Sequence, residues 1–410
     1  MDPSRQAGSL KAVNIPDVKG IPMTLLDLQP PQTTHPTAPS AAMAVGRVDT
    51  DLLAGAKFAY ATRFVAAHPD RDSFTIATDP DLVPQAGDVV LARVVKLGHH
   101  KRLEGVDSRR IVLFEDDLIV VTYGNRYAAD QFLATVPDDL GTCGLVAAGG
   151  VAARVLQKHD KVADATVIEP VGLLSHRGQV VNVRDCAPFA VTAASAGSAQ
   201  TAPGAPVSSV LVIAVLGTSM NSGKSTTLAQ LAHGLVKAGL RVHTGKATGT
   251  GAGNDSHLFG DAGAHRVLDF TDFGYPTTFQ VDHGQIRDLF ASMIDELSTD
   301  NGAGRPDVVL IEIADGVYQS ETAELLTHGL FADRVDGLVF AASDALGAVG
   351  GVQVLTAMGR TPARVSGVVT SSPIARAETE AMIEVPVTGT FDLADPAVAS
   401  GLLEEISGAH

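Results

Sequence analysis

Tryptophan is absent from these 410 residues, and all aromatics together make up 5%. A β-sandwich usually leans on aromatic side chains, so the shortage favours a mixed α/β architecture. Cysteine is scarce too. Cys143 and Cys186 stand far apart with no C-x-x-C spacing, which argues against a disulfide framework or a zinc site. Positive charge is in deficit, with 30 Lys and Arg against 46 Asp and Glu and a net charge of −16. Such a chain is poorly disposed towards nucleic acid or an anionic membrane. No apolar run reaches the roughly 18 residues of a membrane span, and no signal-peptide pattern is read, so a reducing cytoplasm is the expected setting.

What is abundant is apolar and small. Hydrophobic residues make up 45% and there are 41 glycines, enough for a sizeable core. The length suits about two to three domains at roughly 100–200 residues each. Residues 1–45 are rich in Pro, Thr, Ser and Ala and read as a disordered arm, with Met43 as an alternative start. Residues 46–190 carry short Val/Ile-rich runs punctuated by Gly, Pro and Asp, among them SFTIATD, DVVLARVVKL and ADATVIEPVGLL. These predict a β-rich α+β domain, with helices expected at Tyr127–Ala134 and Gly150–Lys158. TAASAGSAQTAPGAPVSS has the composition of a linker, placed at 191–209.

From 210 to 410 apolar strands alternate with amphipathic helices. VLVIAVLG, LRVHTGK, DVVLIEI, GLVFAAS and VSGVVTS read as strands, and 227–239 and 284–298 as helices, with Gly239 as a C-terminal cap. The fold class expected is therefore α/β: a parallel-sheet P-loop NTPase domain preceded by the β-rich domain. No internal repeat is visible.

Between the first strand and first helix of that region lies GTSMNSGKSTT, residues 217–227. A phosphate-binding loop needs glycines that let several N–H groups face one anion, a lysine for the β/γ-phosphates and a hydroxyl for Mg²⁺. Gly223, Lys224, Ser225 and Thr226 supply these in order, at a helix N-terminus. Gly217, Thr218, Ser219, Asn221 and Ser222 complete the candidate nucleotide site. Gly217 lies six positions before Gly223, one more than the usual spacing, so Thr218 occupies the ordinary first-glycine place.

That G-T-S-x-x-x-G-K-S run resembles the G-T-D-x-x-x-G-K-T loop of dethiobiotin synthetase, which groups with MinD-like and cobyrinic-acid amidase-like P-loop proteins. Ser219 stands where that family has aspartate. The resemblance covers residues 209–395, under half of the chain. VLIEIADG (309–316) resembles a strand end at which the family's glutamate helps hold Mg²⁺, which implies Glu312 here, with Asp315 close by. Lys246, ending the second strand, matches a family lysine that faces phosphate and substrate. In the same class an acid after the third strand often joins the metal shell. That implies Asp272 and, less directly, Asp269, beside Tyr275 and Pro276. Ser371, Ser372 and Pro373 fall where relatives touch the base. Asn254 and Asp255 sit in a Gly-rich loop that either cradles an anion or is merely flexible.

The implied catalytic residues are Lys224, Lys246 and Glu312, and the implied metal ligands are Ser225, Glu312 and Asp272. ATP and Mg²⁺ are the expected cofactors. The leading expectation is an ATP-dependent enzyme, kinase-like or ligase-like, acting on a small molecule. A nucleotide-driven switch acting on a protein is the alternative, and the class admits a homodimer. A polynucleotide 5′-hydroxyl kinase is a third reading. It draws on the basic island Lys96, Lys101, Arg102, Arg109 and Arg110 with His99 and His100, but net charge disfavours nucleic acid. The plainer reading of the island is a solvated hairpin. Asn125 and Arg126 either recognise an anion at a helix start or cap that helix. Residues 142–155 read as strand–turn–helix, a second candidate ligand site, with Cys143 in the core.

Overall fold

Successive residues along the strands of the N-terminal half enter two different cores in turn. Val90, Ala92 and Val94, then Ile119, Val121 and Tyr123, then Cys143 and Leu145 all enter one cluster. Every second residue points inward, the two-residue period of a strand with one face in a core. The structure is a computed structural model that describes residues 11–14, 24–27, 51–79, 81–193, 210–300, 302 and 304–408.

Strands Leu118–Tyr123, Val89–Lys96, Thr166–His176, Cys143–Ala147 and Val151–Lys158 pair in that order. Val151 and Ala152 then return to pair with Thr122 and Tyr123, which closes the five strands into a small barrel. The outward face, with Val89, Leu91, Val120 and Leu174, packs on a second cluster that includes Phe58, Phe74 and Ile76. Both faces of these strands are thus covered, as their nearly continuous apolar sequence demands.

The two helices expected in this half are strands. Arg126–Tyr127 and Phe132–Thr135 form a hairpin closed over Ala128–Gln131. Val151–Lys158 lies antiparallel to Cys143–Ala147, so residues 142–155 are strand–turn–strand. Ala152, Ala153, Leu156 and Gln157 favour helix locally, but three neighbouring strands offer backbone partners, and pairing overrides propensity. Within the expected N-terminal arm, Lys11–Asn14 and Thr24–Asp27 pair antiparallel. The rest of that arm, Met43 included, and residues 194–209 of the expected linker lie outside the described residues.

The second half holds six parallel strands: β1 (Leu211–Gly217), β2 (Val242–Lys246), β3 (Arg266–Asp269), β4 (Val308–Glu312), β5 (Gly337–Ala341) and β6 (Arg364–Ser366). Their order is β3-β2-β4-β1-β5-β6. Helices α1 (Lys224–Lys237), α2 (Asn254–Asp261) and α3 (His283–Ser298) connect successive strands. Leu228, Leu231 and Leu235 of α1 cover one face of the sheet. Leu289, Phe290, Met293 and Leu297 of α3 cover the other. Each such fully buried side chain stabilises the fold by about 1.5–3 kcal/mol. Gly239 follows α1 at φ +89°, a left-handed cap. The architecture is α/β, a parallel-sheet P-loop domain joined to a β-rich region. No described helix is long and apolar enough to cross a membrane.

Candidate functional site

Parallel strands gather their C-terminal ends at one edge of a sheet, and β1 is the strand across which the order β4-β1-β5 reverses direction. A crevice opens at such a point. Register places Val215 of β1, Glu312 of β4, Lys246 of β2 and Asp269 of β3 in one row across that edge.

The loop after β1 is tightly set. A Cβ on Gly217 would lie 2.3 Å from Ser222 Oγ, 2.8 Å from Lys224 Cγ and 2.9 Å from the Ala341 carbonyl oxygen. The early glycine of the motif therefore has a steric reason: the Lys224 stem crosses directly over it. Asn221 takes φ +64° and Gly223 φ +96° before α1 begins at Lys224. Thr218 Oγ1 meets Ser343 Oγ at 3.2 Å, which ties the loop to the end of β5. Ser219 is exposed, and its hydroxyl donates to the Met220 carbonyl at 3.1 Å.

Lys224 is 6% exposed, and its ammonium donates to the carbonyls of Ser219 (2.8 Å) and Asp315 (3.1 Å). Burial lowers its pKa, with Glu312 and Asp315 opposing. Lys246 contacts Asp255 and, at 3.5 Å, Glu312 Oε1. Burial acts against its charge, yet the two carboxylates hold its pKa above the ordinary lysine value. Glu312 is 1% exposed, and its Oε2 has no hydrogen-bond partner. Buried carboxylate oxygens are normally satisfied, so this one is suited to a cation or its water. Asp315 takes φ +64°, and burial raises its carboxyl to about 6 against the pull of Lys224 and Lys246.

The barrel forms the opposite wall of the crevice. Together they enclose a cleft of about 950 Å³, lined on one side by Asn221, Gly223 to Thr226, Lys246, Asn254, Asp255, Glu312 and Asp315. On the other side stand His99, His100, Lys101, Arg102, Arg110, Arg126 and Tyr127. Part of the basic island therefore faces the P-loop. His100 Nε2 lies 3.0 Å from the Val146 carbonyl. A carbonyl only accepts, so Nε2 carries the proton. Burial and Arg126 hold the ring neutral, with its pKa down to about 3.

The walls are fastened by specific contacts. A Cβ on Gly149 would lie 1.9 Å from the Gly251 carbonyl oxygen, so the two backbones meet there directly. Glu104 accepts from the Gly253 N–H at 2.8 Å, and Asn221 donates to Asp130 at 3.0 Å. Tyr60 donates to Asp269 at 3.0 Å, and Arg63 pairs with Asp272 at 2.6 Å while lying over the Tyr60 ring.

These last contacts correct the expectation for Asp272. It does not line the cleft: one oxygen holds Arg63 and the other accepts from the Asp269 N–H at 2.8 Å. Asp269 and Asp272 form the capping box of the turn Phe270–Phe273. Ser371, Ser372 and Pro373 are exposed and outside the cleft lining, and Ser372 caps the helix Pro373–Met382. Tyr275 is buried, with Arg184 over its ring. Asn125 accepts from the Val136 N–H at 2.9 Å, a hairpin tie. Cys143 is a core residue of the barrel, its thiol pushed up to about 12 by burial. Of this wall, His99, His100, Lys101, Arg102 and Arg110 belong to the basic island, whereas Arg126 lies in a hairpin strand rather than at the helix start its sequence suggests.

No protein-family model matches this chain, and no curated protein matches it. Among solved structures, it is similar to the signal recognition particle receptor FtsY from Elizabethkingia anophelis (19% identity, 49% of this chain, 68% of that chain, TM-score 0.33). It is also similar to FtsY from Mycoplasma mycoides (12%, 47% and 67%, TM-score 0.31). A third likeness is to the signal recognition particle 54 kDa protein from Aeropyrum pernix K1 in complex with GDP (18%, 50% and 51%, TM-score 0.30). The matches span about half of this chain, and at these TM-scores they carry no inference about its activity. The likeness to dethiobiotin synthetase rests on the motifs alone.

Proposed function

We propose that the cleft is the site of a nucleoside-triphosphate-dependent enzyme that acts on a small molecule held between the P-loop and the barrel. The observation that carries this reading is the cleft of about 950 Å³ with Lys224, Lys246 and Glu312 on one wall and a cationic surface on the other. Small-molecule sites commonly enclose about 300–1,000 Å³, so this cleft has room for a nucleotide and a second small ligand. Backbone N–H groups of residues 221–226 at the start of α1 would cradle the phosphates, and Lys224 would leave its two carbonyl partners for them. Ser225 and the free Oε2 of Glu312 fit a Mg²⁺ bound with the nucleotide. Among the described residues no group of three or more His, Cys, Asp or Glu could hold a metal, so the phosphates themselves would complete its shell. Bound there, Mg²⁺ would neutralise phosphate charge. Lys246, fixed by Glu312 and Asp255, would stabilise charge developing on a transferred group. ATP is the expected nucleotide, with GTP tested beside it.

One observation favours the second reading, a nucleotide-driven switch. Asn221, inside the P-loop, holds Asp130 of the barrel region, so a nucleotide that moves the loop would move that contact.

Turnover of ATP and GTP, measured alone, with a metabolite panel, with 5′-hydroxyl oligonucleotide and with cell protein fractions, separates the readings. Turnover that needs a metabolite is the expected result. Turnover that needs a protein, or none beyond the chain itself, replaces it with the switch.

A further inference from the structure

We propose that Arg126 anchors an anionic group, a carboxylate or a phosphate, of the second substrate on the barrel wall of the cleft. The inference rests on the enzyme reading above and deepens it by naming the chemistry of the molecule acted upon.

Arg126 lines the cleft yet is only 7% exposed. Its Nη2 donates to Gln131 Oε1 at 2.8 Å, and its Nε has no hydrogen-bond partner. A buried guanidinium is ordinarily paired with a carboxylate, because its desolvation is otherwise uncompensated. None pairs with Arg126 among the described residues: Asp130 and Asp315 act on it only through longer-range attraction, and Asp130 instead holds Asn221. Burial lowers its pKa to about 10, so the group remains charged at neutral pH. A charged, planar donor fork with an unused N–H, held rigid in a hairpin, is matched by a planar carboxylate or by phosphate oxygens.

The surroundings point the same way. Lys101, Arg102 and Arg110 share this wall, and of the acids on this side Glu104 is committed to the Gly253 N–H and Asp130 to Asn221. In a chain of net charge −16 this concentration of cations is local and faces the P-loop. An anion bound here would sit across the cleft from the phosphates, where a co-substrate belongs.

The test uses the full chain labelled with ¹⁵N-arginine, with the Arg126 Nε–H resonance assigned by its loss in Arg126→Lys. Acetate, succinate, inorganic phosphate and glycerol 3-phosphate are titrated, with acetamide and glycerol as neutral controls. The phosphate arms are repeated in Lys224→Ala to remove binding at the loop. The expected result is a saturable downfield shift with one anion class and none with the controls. The class that shifts the resonance identifies the group. No shift from either class, or an equal shift from the neutral controls, overturns the proposal. Because the readout is the parent protein's own resonance, poor folding of the variant does not decide the outcome. Fluorescent-nucleotide binding is measured in parallel. An Arg126 shift without nucleotide binding sinks the enzyme reading alone, and nucleotide binding without the shift sinks the Arg126 site alone.

Discussion

Lys246 and Glu312 are register partners on adjacent parallel strands, and their side chains meet at 3.5 Å over the C-terminal edge of the sheet. Side chains at paired positions of parallel strands leave the same face, so the backbone alone fixes this encounter. The lysine consumes one carboxylate oxygen and leaves Oε2 without a partner. Glu312→Gln keeps the shape and removes the charge. Mg²⁺-dependent nucleotide turnover is expected to fall about 10–100-fold, the range typical of groups that support a metal. Nucleotide affinity in EDTA should stay within about threefold, because the phosphate cradle is untouched. Turnover matching the parent would remove Glu312 from the site.

Asp315 gives the cleft a pH dependence. Burial raises its carboxyl from 3.8 in the unfolded chain to about 6 in the folded one. The folded state therefore binds more protons between those values. The group's contribution to stability is complete below about 3.8 and is lost as the pH rises through about 6. Asp315→Asn removes that slope. In urea unfolding, the variant's stability relative to the parent should rise between pH 4 and 7, by about 1–3 kcal/mol. Equal pH profiles would contradict the burial of the charged form.

Gly217→Ala tests the steric origin of the loop's unusual spacing. The added methyl meets Ser222 Oγ, the Lys224 stem and the Ala341 carbonyl oxygen, all closer than 3.0 Å. Overpacking of this kind costs about 1–3 kcal/mol, read as a lower denaturation midpoint. An unchanged midpoint would mean that the loop relaxes freely.

Residues contiguous in the chain made the P-loop wall legible. Strand, loop, lysine, hydroxyl and helix all lie within 211–237, and each has a local signature. The place of Glu312 and Lys246 at the sheet edge is legible for a related reason, because each ends an apolar strand. The barrel wall was legible only in its basic island. Arg126 reaches the cleft through a hairpin whose partner strand, Val151–Lys158, itself reads as a helix until its neighbours are known. Asp272 misled for the opposite reason. An acid after the third strand matches the class pattern, but here Arg63, distant in sequence, claims it.

The Arg63–Asp272 pair is expected to hold the barrel against the sheet. Arg63→Ala leaves the Asp272 carboxylate half-stripped of partners in a site where burial already pushes its pKa to about 6. Stability should fall by about 1–3 kcal/mol at pH 7.5, and Arg63→Ala with Asp272→Asn should recover part of it. Equal loss in the single and double variants would show that the guanidinium acts through its packing on Tyr60 instead.

The nucleotide assignment is tested most directly by titrating fluorescent ATP and GTP analogues into the parent chain and into Lys224→Ala. At least one nucleotide should bind the parent, and affinity in the variant should fall about 10–100-fold, as expected when a charged hydrogen-bond donor to phosphate is removed. Equal binding by the two proteins, or binding of neither nucleotide by the parent, would contradict it.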